Sequence, residues 1–386
     1  MDGTDLKYLH QAVDLAWEGL GVNSPNPLVG CVIVKDDEAV GHGVHIYERV
    51  THAETAALGD AGDKARGAVL YVNLEPCNHH GRTPPCTEAI IEAGIGRVVY
   101  GINDPNREVR GGGAVYLASN GISVEKCNDV SLIKEMEEQN RFFFTHKRKS
   151  RPYITYKTAA SLDGRIATSK RHSKWITHPE AMSVAHLLRG VYDAVLVGKS
   201  TAEEDNPRLT YRPGEKGTIE MPGIIFPHSP TEPKTPLRVV LDAELKLPKE
   251  LWVFDTKVAP TVVIAAEDAD TGNAGELMEL GVEIIRVPYD GGKLNLEAAM
   301  KALAAKGIQS LLIEGGGETA GSFFDAGLLD ELNIFFAPVV IGGRDAVPMM
   351  GGEGVVRLID AMRISEMRNQ FVGRDLLVVG KILRDI

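Results

Sequence analysis

Short apolar runs rich in Val, Ile and Leu recur along this chain, each followed by a stretch of helical period. "LVGCVIV" (28–34), "AVLYVNL" (68–74) and "RVVYGI" (97–102) read as strands, with helices predicted over 5–20, 52–59, 84–95 and 113–120. Strands alternating with helices imply a sheet covered by helices, an α/β layer architecture. The pattern breaks at 143–152, where a basic segment ends in Arg151-Pro152, and then resumes. "DAVLVG" (193–198), "LRVVLD" (237–242), "TVVIAA" (261–266), "VEIIRV" (282–287) and "SLLIEGGG" (310–317) read as strands. Helices are predicted near 178–189, 294–306 and 318–327, and "LLVVGKIL" is a last strand. Residues 211–236, rich in Pro and Gly, predict a long surface loop. A chain of 386 residues exceeds one ordinary core, so two domains are expected, 1–146 and 147–386.

The formal charge of −11 offers no basic surface for a long nucleic acid. The run "HKRKSR" (146–151) is the exception and reads as a solvated linker. No apolar run is long enough to span a bilayer, and the acidic start "MDGTDLKYLHQ" does not read as a secretory signal, so a cytoplasmic location is expected. Four cysteines are too few for a disulfide framework. Cys31 reads as a buried strand residue and Cys127 as an inert thiol. Cys77 and Cys86 each sit beside Pro in a turn-rich segment, which leaves that pair as metal ligands.

In "VTHAETAAL" (50–58), His52 and Glu54 are two residues apart at a helix start, roughly 200° apart around the axis. Both serve one site only if it lies off the helix's N-terminal end. A catalytic zinc site takes three protein ligands and keeps a fourth position for water; His52, Cys77 and Cys86 provide that count. The metal lowers the water's pKa to around 7, and Glu54, outside the ligand set, shuttles protons. Cys86 begins a helix whose N-terminal dipole favours thiolate. An isolated His-x-Glu is ordinarily a pair of first-turn helix residues. Followed by "EPCNHHGRTPPC" (75–86), it forms the His-x-Glu, Pro-Cys signature of zinc nucleobase deaminases, with the usual Cys-x-x-Cys spacing widened to span His79, His80 and Arg82.

"NPLVGCVIV", "THAE" and "EPCNHHGRTPPC" together closely resemble the bifunctional deaminase/reductases of riboflavin biosynthesis, and the resemblance covers almost the whole chain. It implies an N-terminal cytidine-deaminase-like α/β/α domain that hydrolyses the 2-amino group of 2,5-diamino-6-(5-phosphoribosylamino)pyrimidin-4-one. By matching position, it makes His52, Cys77 and Cys86 zinc ligands, Glu54 the proton donor, and Asn26, His45, His79 and Arg82 substrate contacts. Read alone, Asn26 serves equally well in a turn, and His80 reads as surface. The family usually has Gly and Pro before His-Ala-Glu; "ERVTHAE" has neither, which predicts a stiffer loop before the first ligand.

In the second half, "YKTAASLDGRIA", "SKWIT", "DAVLVGKST" and "DNPRLT" resemble the family's reductase domain. That implies a dihydrofolate-reductase-like α/β fold in which NADPH reduces a ribosyl to a ribityl side chain. Ser173, Arg189, Leu209, Arg212 and Glu314 fall on substrate positions, with Arg208 a further candidate. Ala159, Trp175, Thr201 and Asp205 fall on cofactor positions, as do Gly316, Gly317, Glu318, Thr319 and Ala320. Lys157 and Glu314 are candidates for polarising or proton-supplying roles. On residue type alone, Trp175 also suits a core, Arg189 a solvated helix end, and Asp163-Gly164 a turn without chemistry. The three glycines of "SLLIEGGGETAGSFF" end a strand and open a helix, which suits a phosphate on free N–H groups. They do not form G-x-G-x-x-G, so a standard Rossmann unit is not supported.

Two other readings stay open. One is a zinc nucleotide deaminase whose C-terminal half only binds. The other is a structural-zinc interaction protein, with His79 or His80 as a fourth ligand. The resemblance implies a small phosphorylated pyrimidine as substrate and a homo-oligomer, with neither nucleic acid nor membrane as partner.

Overall fold

A computed structural model describes residues 1–81, 84–105, 112–212 and 220–383. The chain divides into two compact units, Met1–Ser150 with Pro230–Glu232, and Arg151–Ser229 with Pro233–Ile386. The first unit thus runs a few residues past the boundary expected after residue 146.

The first unit runs α1 (Gly3–Ala16), β1 (Gly30–Lys35), β2 (Glu38–Val44), α2 (Ala53–Ala61), β3 (Val69–Leu74) and α3 (Cys86–Glu92). It continues through β4 (Arg97–Ile102), α4 (Gly113–Ser119), β5 (Ser123–Lys126), α5 (Val130–Gln139) and α6 (Arg141–Lys149). The sheet order is β2-β1-β3-β4-β5, antiparallel around β1 and parallel from β3 to β5. β1, β3 and β4 are buried almost throughout, which is why they stand out as apolar runs. The edge strands β2 and β5 are partly exposed and carry no such run. α2 lies unusually close to β2: a Cβ on Gly43 would fall 2.0 Å from the Ala53 carbonyl oxygen, so only glycine permits the approach. That contact seats the N-terminal end of α2. The basic run is not a linker. His146, Lys147, Arg148 and Lys149 form the last turn of α6, where cationic side chains complement the helix dipole.

The second unit begins β6 (Tyr153–Ser161), β7 (Arg165–Ala167), α7 (Pro179–Arg189), β8 (Ala194–Gly198), α8 (Lys199–Asp205) and β9 (Leu237–Leu241). Next come β10 (Thr261–Ala266), α9 (Thr271–Glu279), β11 (Glu283–Val287), a short hairpin of β12 (Tyr289–Asp290) and β13 (Lys293–Leu294), and α10 (Leu296–Ala305). It closes with β14 (Ser310–Glu314), α11 (Gly317–Asp325), β15 (Glu331–Ala337), β16 (Val347–Pro348), β17 (Arg363–Val372) and β18 (Asp375–Leu383). The main sheet has the order β11-β10-β9-β8-β14-β6-β15-β18-β17, with its first seven strands parallel and the last two antiparallel. β14 and β6 are adjacent and aligned so that Glu314 and Lys157 are partners in register. Between β6 and β7, Gly164 adopts φ +74° in a turn, and the Asp163 carboxylate accepts N–H bonds from Ile341 and Gly342. The loop expected over 211–236 holds no helix or strand in its described part.

Each unit has its own apolar core, around Ile33, Leu70 and Val98 in the first and Leu196, Ile313 and Phe323 in the second. Among the described residues, no helix is long and apolar enough to cross a membrane.

Candidate active site

His52 is the N-cap residue of α2, in extended conformation, and Glu54 lies in its first turn. Both border the same space beyond the helix end, so their separation around the axis is no obstacle. Cys77 follows β3 and Cys86 is the first residue of α3. His52 Nδ1 lies 3.0 Å from Cys86 Sγ and 3.5 Å from Cys77 Sγ, and the three donor atoms fall within 4.8 Å of one another. Two thiols and an imidazole at this spacing suit zinc. Among the described residues the cluster has no fourth donor, and His79 and His80 are exposed.

One detail departs from expectation. The Cys86 N–H, at the N-terminus of α3, donates to Cys77 Sγ at 3.3 Å. The helix end therefore favours thiolate at Cys77 and not at Cys86. Hydrogen bonds from Cys86 and His52 pull Cys77 down to about 4, whereas its bond to Cys77 and its burial push Cys86 up. Glu54 is buried, and burial together with the Cys77 charge pushes its carboxyl up to about 7.

A cavity of about 230 Å³ opens beside this cluster, with Asn26, His45, Glu54, His79, Phe143 and Lys147 on its walls. Asn26 Nδ2 donates to His45 Nε2 at 2.9 Å, and His45 Nδ1 donates to the Thr51 carbonyl at 2.8 Å. These two bonds fit a single neutral tautomer, and burial pushes the His45 pKa down to match. Arg82 lies outside the described residues.

In the second unit, Arg189 at the end of α7 donates from Nε and Nη2 to both oxygens of Glu314, each at 2.7 Å. Both side chains are 11% exposed, so Arg189 is not a solvated helix-end charge. Burial alone would raise Glu314, but the charges of Arg189 and Lys157 outweigh it and hold the carboxyl at about 2. Burial pushes the Lys157 ammonium down. Glu314 is thus held as an anion, with Lys157 its register partner on the neighbouring strand.

The glycine turn is built by close contacts. Gly315 has φ +115°, and a Cβ there would fall 2.7 Å from Thr201. A Cβ on Gly317 would meet the Pro348 carbonyl oxygen at 2.2 Å. The Gly316 N–H is not free for a ligand, since it donates to Thr201 Oγ1 at 3.1 Å. The first turn of α11 holds Glu318, Thr319 and the buried Ala320, and the open N–H groups of such a helix end suit an anion.

The other expected residues are scattered more widely. Ala159 pairs in register with Phe335 on β6 and β15. Trp175 is 74% exposed and therefore not core. Ser173 is half-buried, and Asp205 ends α8. Leu209 is buried at φ +53°, and Arg208 stacks 4.5 Å over the Trp252 ring. Burial, then the charges of Arg189 and Arg208, lower the pKa of Arg212.

Three residues near the sites were not singled out by sequence. Lys147 was hidden in a basic run. Glu75 belongs to the "EPC" motif; its Oε1 accepts from the Ala114 N–H at 3.2 Å, and its buried Oε2 has no hydrogen-bond partner among the described residues. His186 lies one turn before Arg189 on a predicted helix, a spacing that could have flagged it.

Residues 152–378 match the family model for the RibD C-terminal domain, and residues 2–102 that for the cytidine and deoxycytidylate deaminase zinc-binding region. The riboflavin biosynthesis protein RibD of Aquifex aeolicus (strain VF5) is 40% identical over 378 residues, covering 98% of each chain. Among solved structures, Acinetobacter baumannii RibD (form 1) aligns with a TM-score of 0.85 at 31% identity, covering 99% of each chain. A diaminohydroxyphosphoribosylaminopyrimidine deaminase/5-amino-6-(5-phosphoribosylamino)uracil reductase from Thermotoga maritima aligns with a TM-score of 0.80 at 33% identity, covering 98% of this chain and 99% of its own.

Proposed function

The chain belongs to the RibD family of bifunctional riboflavin-biosynthesis proteins, and on that premise we propose that its first unit deaminates 2,5-diamino-6-(5-phosphoribosylamino)pyrimidin-4-one. Its second unit then reduces the ribosyl side chain of the deaminated product to ribityl with NADPH. The observation that carries the first step is the His52, Cys77 and Cys86 cluster beside a buried Glu54 that is not one of its donors.

Zinc held by His52, Cys77 and Cys86 would supply Lewis-acid activation of water. Glu54 takes a proton from the attacking water and delivers it to the departing amine, so that a C–NH₂ bond becomes C=O and ammonia leaves. Asn26, with its N–H committed to His45, keeps Oδ1 to accept from a pyrimidinone N–H. His79, on the cavity wall, adds a contact there, and the match to the family makes Arg82 a further substrate contact.

In the second unit, bound NADPH would supply hydride chemistry at the sugar C1. The first-turn N–H groups of α11 and the Thr201 region would hold its phosphates, with Ala159, Trp175 and Asp205 as further contacts. Lys157 gives the proton that the ring oxygen needs as the sugar opens, and Glu314, its register partner on the neighbouring strand, holds Arg189 in place. Ser173, Arg208, Leu209 and Arg212 contact the substrate.

One assay tests the whole reading: the purified protein, the phosphoribosylamino substrate and either NADPH or NADH, followed by ammonia release and nicotinamide oxidation. Both signals are expected, with NADPH preferred. Ammonia without oxidation of either nucleotide would leave a lone zinc deaminase, and loss of both would end the reading.

A further inference from the structure

The last turn of α6 carries four basic residues, but their surroundings differ. Arg148 stacks on Phe144 and pairs with Glu137 at 3.4 Å, with 54% of its side chain exposed. Lys147 instead is half-buried on the wall of the deaminase cavity. Its ammonium stands 5.6 Å from the centroid of the Phe143 ring, which borders the same cavity. Among the described residues lining that cavity, Lys147 is the only lysine or arginine, and the acidic side chains Glu54, Glu75 and Asp104 line it too.

We infer that Lys147 binds the phosphate monoester of the deaminase substrate. The inference rests on the deaminase reading above and adds a residue to it. A phosphate entering a cavity lined by carboxylates is repelled unless a fixed cation receives it. Lys147 supplies that charge, and the buried Phe143 ring steadies the ammonium through a cation–π contact. The pyrimidine end of the substrate then lies toward Glu54 and the metal donors, with the ribosyl phosphate toward α6.

The test uses the full-length, zinc-loaded protein and measures deamination of the phosphorylated substrate and of its dephosphorylated counterpart. Lys147→Ala should lower the preference for the phosphorylated substrate, taken as the ratio of the two kcat/KM values, by on the order of 10–100-fold. The loss should fall mainly on KM, and Lys147→Arg should recover most of it. Ribose 5-phosphate should inhibit the wild type competitively and Lys147→Ala much more weakly. An unchanged ratio in Lys147→Ala would overturn the inference, as would an equal loss on both substrates, which marks a purely structural role. If the wild type releases ammonia from neither substrate, the deaminase reading itself fails and takes this inference with it.

Discussion

Glu54 sits within reach of three metal-type donors and contributes none of them. Replacing it with Gln preserves its shape and removes its capacity to shuttle protons. Glu54→Gln should therefore retain zinc while ammonia release falls about 10²–10⁴-fold. Metal content and turnover would be measured on the same sample, and zinc loss from a folded variant would place Glu54 among the ligands. His186 makes a separate prediction, about stability. Burial, then the charges of Arg189 and Arg212, push its pKa down to about 4, against the opposing charge of Glu314. Above pH 6.5, near the value for an unfolded histidine, the imidazole is neutral in both states. As the pH falls from 6.5 towards 4, the unfolded chain takes up a proton that the folded state resists, so stability is lost over that window. The urea midpoint of the wild type should thus fall more steeply with acid than that of His186→Gln. Parallel curves would mean that His186 titrates normally in the fold.

At the scale of elements, the segment before α2 shows how a sequence departure is absorbed. "ERVTHAE" has neither Gly nor Pro, and here the chain makes a short 3₁₀ turn over Tyr47–Arg49, after which Val50 takes the left-handed conformation at φ +54°. A β-branched residue in that region is strained by roughly 1–2 kcal/mol, and the bridge between Ile46 and Thr51 helps to hold it there. The glycine turn before α11 behaves differently. Gly315 and Gly317 are required by backbone shape and close packing, while a Cβ on Gly316 would meet Thr201 Oγ1 at 3.3 Å, a tight contact that the hydroxyl must shift to relieve. Gly316→Val, once its folded state is confirmed by circular dichroism, should lose affinity for NADPH more than for substrate, because the branched side chain obstructs the helix end. Fluorescence titration with each ligand would check this, and equal losses would assign the residue to packing alone. Legibility in the sequence follows burial here. β1, β3, β4, β8, β10 and β14 are buried on both faces and read as unbroken apolar runs. The edge strands β2, β5 and β17 have exposed faces and no comparable run, so they did not stand out.

For the whole molecule, the separate cores of the two units carry a prediction about independence. Cys77→Ser should lose most of its zinc and all ammonia release. NADPH oxidation on supplied deaminated substrate should persist in the same protein, since every reductase residue lies beyond Ser150. Loss of both activities in a folded, zinc-free variant would show that the second unit depends on the first.

The sequence by itself determined the α/β architecture, because continuous burial demands continuous apolar strands, and the donor types of the metal site, because that chemistry admits few side chains. It also carried the family resemblance, since those motifs are local. Tertiary structure alone decided which partners meet. Arg189 and Glu314 are 125 residues apart, and only the fold that brings the end of α7 to the end of β14 makes them a buried pair. The helix end at Cys86 serves Cys77 for the same reason. Lys147 and Arg148 are neighbours in one basic run, yet one turns into a cavity and the other to an exposed ion pair. Local periodicity encodes which face of an element is buried; what lies opposite that face is set by how distant segments cross, and no short stretch of sequence contains it.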